Sequence, residues 1–159
     1  MFKKKNILLI FILLLITVGF VSTLVIQYAL GHQPCKLCIY ERIPYILSIF
    51  LIILILFTKK YEKITLLTLS ALFFFSFSLA FYHFGIEKGF FNEFFACEAE
   101  NFSKNLSKEQ ILEQLKQSNI SCKDVNFKIV GLSLATINSI FSLFLSAIFA
   151  KLFISYGKN

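Results

Sequence analysis

The amino-acid sequence predicts an all-α membrane protein: a bundle of four transmembrane helices with two outer loops, the second of which carries a short amphipathic helix on the membrane surface. The first observation is composition, because the 159 residues are 57% hydrophobic and the mean hydropathy is +0.76, more than a soluble domain needs. The second is a set of four apolar segments close to the ~20 residues that cross a bilayer as a helix. The third is that charged residues, 16% of the chain, lie mainly between these segments. We expect one integral membrane domain over residues 1–159.

The four predicted spans cover approximately residues 7–30, 38–58, 64–86 and 129–154. Backbone groups in lipid must be hydrogen-bonded within the segment, which favours helices for runs of this length. The first run follows three lysines and in this respect resembles a secretion signal. It is longer than the ~7–15 apolar residues of such signals and no small-residue cleavage site follows it closely, so we interpret it as a span.

The second span contains the shortest apolar run, and this length predicts how far its helix extends. Residues 43–58 would cover about 24 Å as a helix, less than the ~30 Å hydrocarbon core. The lysine-rich residues that follow stay in water, so the helix should extend the other way, through Arg42 to Cys38. Cys38 is then expected at the outer membrane surface, with Arg42 one turn deeper on the same face. Pro44 predicts a kink or a loose first turn here, which would open room for a ligand.

The distribution of charge predicts the orientation of the spans. The two termini and the loop between spans two and three carry eight basic residues and one acidic residue, and the other loops carry eight of each, so the net charge of +7 lies on one side. Lys and Arg are enriched on the cytoplasmic side. Both termini are therefore predicted to be cytoplasmic, and all four cysteines to lie on the oxidising, periplasmic side of a bacterial inner membrane. The same asymmetry explains the basic composition without a nucleic-acid partner.

Cys35 and Cys38 form a Cys-x-x-Cys motif, and Arg42 follows four residues later. The thiolate is the reactive form of cysteine, and a nearby guanidinium or a helix N-terminus lowers the thiol pKa. Pro34 suits a helix start. An arginine at the edge of the hydrocarbon is costly unless it has a function or reaches the interface. The motif therefore predicts a redox pair beside a cationic pocket open to lipid, where a two-electron acceptor such as a quinone would bind.

The second outer loop contains Cys97, Cys122 and a predicted amphipathic helix over residues 107–117. Ser107 and Gln110 form a capping-box pattern, and the apolar residues that follow share one face, which would rest on the membrane or pack on the bundle. A bridge between the two cysteines would be either a structural staple or a disulfide that another protein's thiol can reach. Two pairs on one side of the membrane indicate a relay of thiol–disulfide exchange.

Three other classes of protein compete with a redox enzyme. A zinc site could combine the Cys-x-x-Cys pair with Cys97 and Cys122, with His32 as a nearby extra ligand, although the second pair lacks knuckle spacing. A structural protein could use the same cysteines as staples. A coupled transporter usually carries an acidic residue within a span. We expect none, because the apolar runs at residues 7–30, 43–58, 64–86 and 129–150 contain no acidic residue.

The residues above resemble the bacterial disulfide bond formation protein B (DsbB) family. The resemblance covers most of the chain and is carried by PCKLCIYERIPY in the first outer loop, FYHFGIEKGFF at the end of the third span, the two cysteines of the second outer loop, and GLSLATINS entering the fourth span. The vitamin K epoxide reductase family also combines a four-helix core, quinone chemistry and paired cysteines. Its Cys-x-x-Cys motif follows the loop cysteines, whereas here the motif precedes them, so chain order favours the DsbB family.

The resemblance implies a quinone-dependent protein-disulfide oxidoreductase. Such an enzyme reoxidises a periplasmic DsbA-like thioredoxin-fold protein and passes the electrons to ubiquinone or menaquinone, without a metal. By position, Cys97 would form the mixed disulfide with the partner. Cys122 would then attack Cys35, and Cys38 would be left as the thiolate that faces the quinone.

The resemblance also implies that Arg42 stabilises this thiolate and the quinone, and that His83 lies near the quinone. Three further residues match recurring family positions without an assigned role: Glu87, Ser133 and Asn138. Glu41 stands where many relatives have glutamine. Its carboxylate could pair with Arg42 and weaken the effect of the guanidinium on Cys38.

Overall fold

The structure is a computed structural model, and within the residues that it describes four helices are long and apolar enough to cross a membrane, as predicted. It describes residues 2–32, 34–58, 61–92, 122–123, 128–129 and 131–156. In chain order the elements are α1 (Phe2–Tyr28), α2 (Lys36–Tyr40), α3 (Ile43–Phe57), α4 (Glu62–Glu87), the strands β1 (Lys128–Ile129) and β2 (Leu132–Ser133), and α5 (Leu134–Tyr156). Cys97 and the predicted helix over residues 107–117 lie outside the described residues.

The second span is divided into α2 and α3, which are separated by Glu41 and Arg42. Pro44 lies at the start of α3, where its missing N–H costs no helical hydrogen bond. The difficulty that Pro44 poses for a continuous helix is thus resolved by a break of two residues. The break also turns the side chains of Glu41 and Arg42 towards different helices.

The four long helices pack around one apolar core while most other large apolar side chains face outward. Tyr45 of α3 contacts Phe73 of α4 edge-on at 5.8 Å between ring centroids, and Phe73 stacks on Phe149 of α5 at 5.7 Å. The outward-facing residues include Phe50 and Phe57, of which 63% and 86% of the surface is exposed. An exterior of this kind suits lipid, where close packing and interhelical hydrogen bonds hold helices together.

Small hydroxyl residues hold α4 against α5. The Ser70 hydroxyl donates to the Ser146 carbonyl at 3.3 Å, and the Ser146 hydroxyl donates back to the Ser70 carbonyl at 3.1 Å. One helical turn or more away, the hydroxyls of Ser76 and Ser142 lie 3.1 Å apart. Side chains this small allow two helices to approach closely. The pair α4 and α5 therefore forms a firm base for side chains that project from either helix.

The two ends of the bundle differ in chemistry. At one end the ammonium of Lys5 in α1 pairs with Glu62, the first residue of α4. At the same end Lys63 lies 5.7 Å from the ring centroid of Phe153 in α5. Cys35, which precedes α2, lies at the other end, here called the cysteine end. This arrangement agrees with the charge pattern that predicted opposite sides for the lysines and the cysteines.

The end of α4 is fixed by its C-terminal turn. Gly89 has φ +76°, and the N–H groups of Gly89 and Phe90 donate to the carbonyls of Ile86 and Gly85 at 3.0 and 2.8 Å, the Schellman pattern of a glycine-terminated helix. Phe91 then folds back onto the helix, so close that a Cβ at Gly85 would lie 2.1 Å from the ring. The last turn of α4, which carries the histidine and a glutamate of the site, is thereby held in place.

The fourth helix begins at Leu134, five residues after the start of the predicted span, because β1 and β2 pair there as an antiparallel hairpin instead. Gly131 occupies the turn with φ +81°, a conformation that favours glycine. Ser133 caps α5, since its hydroxyl accepts a hydrogen bond from the Thr136 N–H at 3.2 Å. One of the family positions without an assigned role thus has a structural role.

Candidate redox site

Cys35 and Cys38 are brought together by the start of α2. Cys35 is the N-cap residue, and its Sγ accepts a hydrogen bond from the Cys38 N–H at 3.4 Å. The two Sγ atoms lie 3.2 Å apart, and both thiols are free. Only a small side-chain rotation separates this arrangement from a disulfide bond of about 2 Å. The local fold of the motif therefore suits a pair that can open and close.

Cys122, from the chain that precedes the hairpin, reaches the same place. It is buried, and its Sγ, the Cys35 Sγ and a ring nitrogen of His83 all lie within 4.8 Å of one another. Cys35 therefore lies between two possible partners, Cys38 and Cys122. The contact between Cys122 and Cys35 matches what the family resemblance implied, and the sequence offered no other signal for it, because 87 residues separate the two positions.

The surroundings of Cys35 favour its thiolate. Hydrogen bonds from Cys122, from Cys38 and from His83, together with the charge of His83, lower the pKa of Cys35 well below its ordinary value, against the opposing effect of burial. A thiol with a lowered pKa is both a readier nucleophile at neutral pH and a better leaving group. The sequence predicted this effect at Cys38, whereas in the structure the stabilising contacts surround Cys35.

His83 is held between the thiol and two acidic groups. Its Nε2 lies 3.5 Å from the Cys35 Sγ, and its Nδ1 lies 2.8 Å from Oε1 of Glu41. Glu87, one helical turn later, places a carboxylate oxygen 3.9 Å from Nε2 and also hydrogen-bonds with Ser133. All of these side chains are buried or nearly so, so their interactions are poorly screened by water.

Glu41 does not pair with Arg42 in this arrangement, contrary to the possibility raised by the sequence. Its two oxygens contact His83 of α4 and the Asn138 amide of α5, the latter at 2.6 Å. Arg42 donates from Nη1 to the Gln27 amide oxygen of α1. Adjacent residues in the break between α2 and α3 thus point to different helices, so the carboxylate is engaged away from the guanidinium.

The expectation that the spans contain no acidic residue was wrong. Glu41 lies within the second span, Lys36–Phe57, and Glu62 and Glu87 lie at the two ends of the third, Glu62–Glu87. Each has a partner: Glu62 pairs with Lys5, Glu87 lies near His83 and Ser133, and Glu41 contacts the histidine and the asparagine. The argument against a transporter therefore cannot rest on missing carboxylates.

A cavity of about 430 Å³ joins the redox groups to a row of apolar side chains within the bundle. Its polar end contains Cys35, Cys38, Arg42 and His83, and its apolar end is lined by side chains of α1 and α5 such as Leu15, Val18, Phe20 and Phe141. The lining residues of α1 run from Leu15 to Gln27, a rise of about 18 Å along the helix. The cavity is thus elongated, with chemically reactive groups at one end and hydrocarbon at the other.

Several residues of this site were given no role by the sequence analysis. Gln27 contacts Arg42, and Tyr45 donates from its hydroxyl to the Asn138 amide oxygen. One signal could have identified Gln27 and Asn138, since uncharged but strongly polar side chains within apolar spans are costly and usually have a partner. Their partners could not be read from the sequence, because each contact joins different helices.

A bundle of four helices able to span a membrane, with three cysteine residues lining one largely apolar cavity, defines a class, the membrane thiol–disulfide oxidoreductases. The family model described as disulfide bond formation protein DsbB matches residues 3–152, so the chain belongs to this family. It is also 28% identical over 152 residues to uncharacterized protein RP370 of Rickettsia prowazekii (strain Madrid E), a match that covers 92% of this chain and 88% of that protein. The chain is therefore a membrane protein of disulfide-bond formation, as the sequence motifs predicted, and the vitamin K epoxide reductase alternative is set aside.

Proposed function

We propose that this protein reoxidises a periplasmic DsbA-like thiol oxidant and passes the electrons to a membrane quinone, ubiquinone or menaquinone, from the inner membrane of a bacterium. The observation that carries the proposal is the elongated cavity, with two free thiols, a guanidinium and an imidazole at one end and an apolar channel at the other. A quinone has a matching division into a polar ring and an isoprenoid tail. When bound, it would supply the capacity to accept two electrons and two protons.

The residues of the chain would hold the ring through donors at the polar end of the cavity. The Arg42 guanidinium keeps further N–H groups available beside its bond to Gln27, since it has five in total. Cys38 lines the same end, and its Sγ lies 3.2 Å from that of Cys35. Leu15, Val18 and Phe141 would contact the tail.

Thiol–disulfide exchange would bring the electrons to this end of the cavity. In the proposed order Cys97 exchanges with the partner protein, Cys122 attacks Cys35 of the Cys35–Cys38 disulfide, and Cys38 is released as a thiolate. Each step moves one S–S bond and leaves the number of disulfides unchanged. The proximity of the Cys35 sulfur to both Cys38 and Cys122 supports this order.

A second candidate, a zinc site, is favoured by the closeness of Cys35, His83 and Cys122, whose donor atoms lie within 4.8 Å of one another. Two thiolates on one tetrahedral zinc ion, at about 2.3 Å from the metal, lie about 3.8 Å apart. The Cys35 and Cys38 sulfurs are closer, at 3.2 Å, a separation suited to bond formation between them. We therefore assign the Cys35–Cys38 pair to thiol chemistry rather than to shared ligation of one zinc ion.

The test is quinone reduction by the purified protein in lipid, with a reduced thioredoxin-fold dithiol protein as electron donor and a short-chain ubiquinone or menaquinone as acceptor. We expect one quinone to be reduced for each dithiol oxidised. Cys38→Ser should abolish the reaction, and Arg42→Ala should weaken it. Lys36→Ala is the matched control, because Lys36 is a cation of the same segment that does not line the cavity.

Two results would overturn the proposal. Quinone reduction by Cys38→Ser at the parent rate would show that the electrons follow another path. Stoichiometric zinc together with free thiols and no disulfide after gentle denaturation would assign the cysteines to a metal site.

A further inference from the structure

A continuous chain of buried and partly buried hydrogen bonds runs from the core of the bundle to the Cys35 sulfur. It begins at Ser76 and Ser142 in the seam between α4 and α5, and continues through Tyr45 and Asn138 to Glu41, His83 and Cys35. Its members come from α3, α4, α5, the break between α2 and α3, and the N-cap of α2. We propose that Glu41 and Asn138 are positioning residues that hold His83 so that its Nε2 atom accepts the proton of Cys35. The inference rests on the proposed function, in which Cys35 exchanges between two partners.

The contact with Glu41 selects the tautomer of His83. A carboxylate only accepts hydrogen bonds, so the proton of a neutral imidazole must lie on the nitrogen that faces it. That nitrogen is Nδ1, 2.8 Å from Oε1 of Glu41. The lone pair of Nε2 is then directed at the Cys35 sulfur, 3.5 Å away. Once Nε2 takes up a proton, the same carboxylate stabilises the resulting imidazolium.

Asn138 keeps Glu41 in this orientation. Its Nδ2 donates to Oε2 of Glu41 at 2.6 Å, so the two carboxylate oxygens have different partners and the carboxylate cannot rotate without losing one of them. The amide itself is oriented from behind, because its Oδ1 accepts from the Tyr45 hydroxyl and from Ser142 at 3.3 Å. A flipped amide would place its oxygen against the Glu41 carboxylate, which only accepts hydrogen bonds, so the orientation of the amide is fixed.

The step that these residues serve is a proton transfer. The S–H bond of Cys35 breaks, an N–H bond forms at Nε2 of His83, and both bonding electrons stay on the sulfur, so the result is a thiolate beside an imidazolium. In the reverse transfer, Nε2 returns the proton to the Cys35 sulfur and the thiol is restored. When Cys97 displaces Cys35 from Cys122, Cys35 leaves as a thiolate, and a stabilised leaving group speeds such an exchange.

The titratable and charged groups that line the cavity around Cys35 come from every neighbouring element. They are Cys38 of α2, Glu41 and Arg42 of the break, Tyr45 of α3, His83 and Glu87 of α4, Cys122 of the loop before the hairpin, and His32 after α1. Glu87 approaches Nε2 at 3.9 Å, on the side that also faces the sulfur, and is therefore placed to stabilise the imidazolium but not to select the tautomer. Glu41, unlike Glu87, therefore determines which nitrogen of the neutral His83 ring carries the proton.

The test is a titration of Cys35 as the single thiol, in a protein with Cys38→Ser, Cys97→Ser and Cys122→Ser, since serine hydroxyls can still donate to the sulfur. The fraction of thiolate is followed by its ultraviolet absorbance in lipid or detergent, with Cys35→Ser as the blank. Glu41→Gln should move the midpoint upward by about one pH unit or more, a tenfold loss of thiolate below the midpoint. Glu41→Asp, which keeps the charge, should raise the midpoint less than Glu41→Gln does. Asn138→Leu, which changes no charge, should also raise the midpoint, by a smaller amount than Glu41→Gln.

Glu62→Gln is the matched control, because Glu62 is an equally buried carboxylate at the far end of the helix that carries His83. The midpoint of the Cys35 titration in the Glu62→Gln variant should equal that of the single-thiol protein without this substitution. An unchanged midpoint in Glu41→Gln would overturn the inference, and an unchanged midpoint in Asn138→Leu would remove Asn138 from it. If Glu41→Gln does not fold, Asn138→Leu decides. The titration contains neither quinone nor partner, so its failure is distinct from failure of quinone reduction by the unmodified protein.

Discussion

Arg42 donates a hydrogen bond to the amide oxygen of Gln27, and this contact joins the break in the second span to α1 across the polar end of the cavity. Both residues lie among apolar neighbours, where a hydrogen bond to a charged group contributes about 1.5–3 kcal/mol. Gln27 therefore determines where the only arginine of the chain holds its charge.

Replacing Gln27 by leucine should impair quinone use more than it impairs folding. The guanidinium would lose its fixed orientation, so we expect KM for the quinone to rise about tenfold with a smaller change in kcat, the result for an interaction present in both ground and transition states. Steady-state kinetics with varied quinone and saturating dithiol partner measure both constants. An unchanged KM would show that the orientation of Arg42 does not depend on Gln27.

The ion pair between Lys5 and Glu62 should stabilise the bundle at the end away from the cysteines. The Glu62 side chain is 4% exposed and that of Lys5 is 19% exposed, and removal of one partner from a buried pair typically costs roughly 3 kcal/mol. Glu62→Gln should lower the free energy of unfolding by about this amount, measured by helical circular dichroism during denaturation in detergent.

The double substitution Lys5→Met with Glu62→Leu provides the comparison for that prediction. Since apolar residues can replace a buried ion pair at little cost, we expect the double variant to be more stable than Glu62→Gln. The prediction attributes the loss in Glu62→Gln to a Lys5 charge left without a partner. If the double variant were the less stable of the two, the attraction within the ion pair would instead be what stabilises this end. Quinone reduction should be retained in both variants, because the pair is remote from the cavity.

The stability of the reduced protein should depend on pH through Cys35. Its pKa is lowered in the folded state from an ordinary value of 9.0, and the proton that it gives up is held by His83. The folded protein therefore binds fewer protons than the unfolded chain only below about pH 6.5, where the histidine of the unfolded chain is also protonated. The free energy of unfolding should increase as pH rises towards about 6.5 and level off between there and about 9. Denaturation of reduced protein over this range, with Cys35→Ser as comparison, measures the effect. An equal slope in Cys35→Ser would assign the pH dependence to other groups.

The class of protein and the general location of its chemistry follow from local features of the sequence. Four apolar runs require four helices, because a backbone in lipid must satisfy its hydrogen bonds within each segment. The Cys-x-x-Cys spacing brings Cys35 and Cys38 together through a single turn of α2. The split of charge between the loops agrees with the separation of Lys5 and Lys63 from the cysteines in the structure.

The partners of the buried polar residues were decided only by tertiary structure. The sequence suggested that Glu41 could pair with its neighbour Arg42, and that the thiolate would be favoured at Cys38. In the folded chain the break at Pro44 directs Glu41 to His83 and Asn138, so the contacts that favour a thiolate gather at Cys35. A run of apolar residues predicts that a helix crosses the membrane. The rotation of that helix about its own axis, however, depends on packing against the other helices. That rotation determines which polar side chains meet, and no local pattern in the sequence contains it.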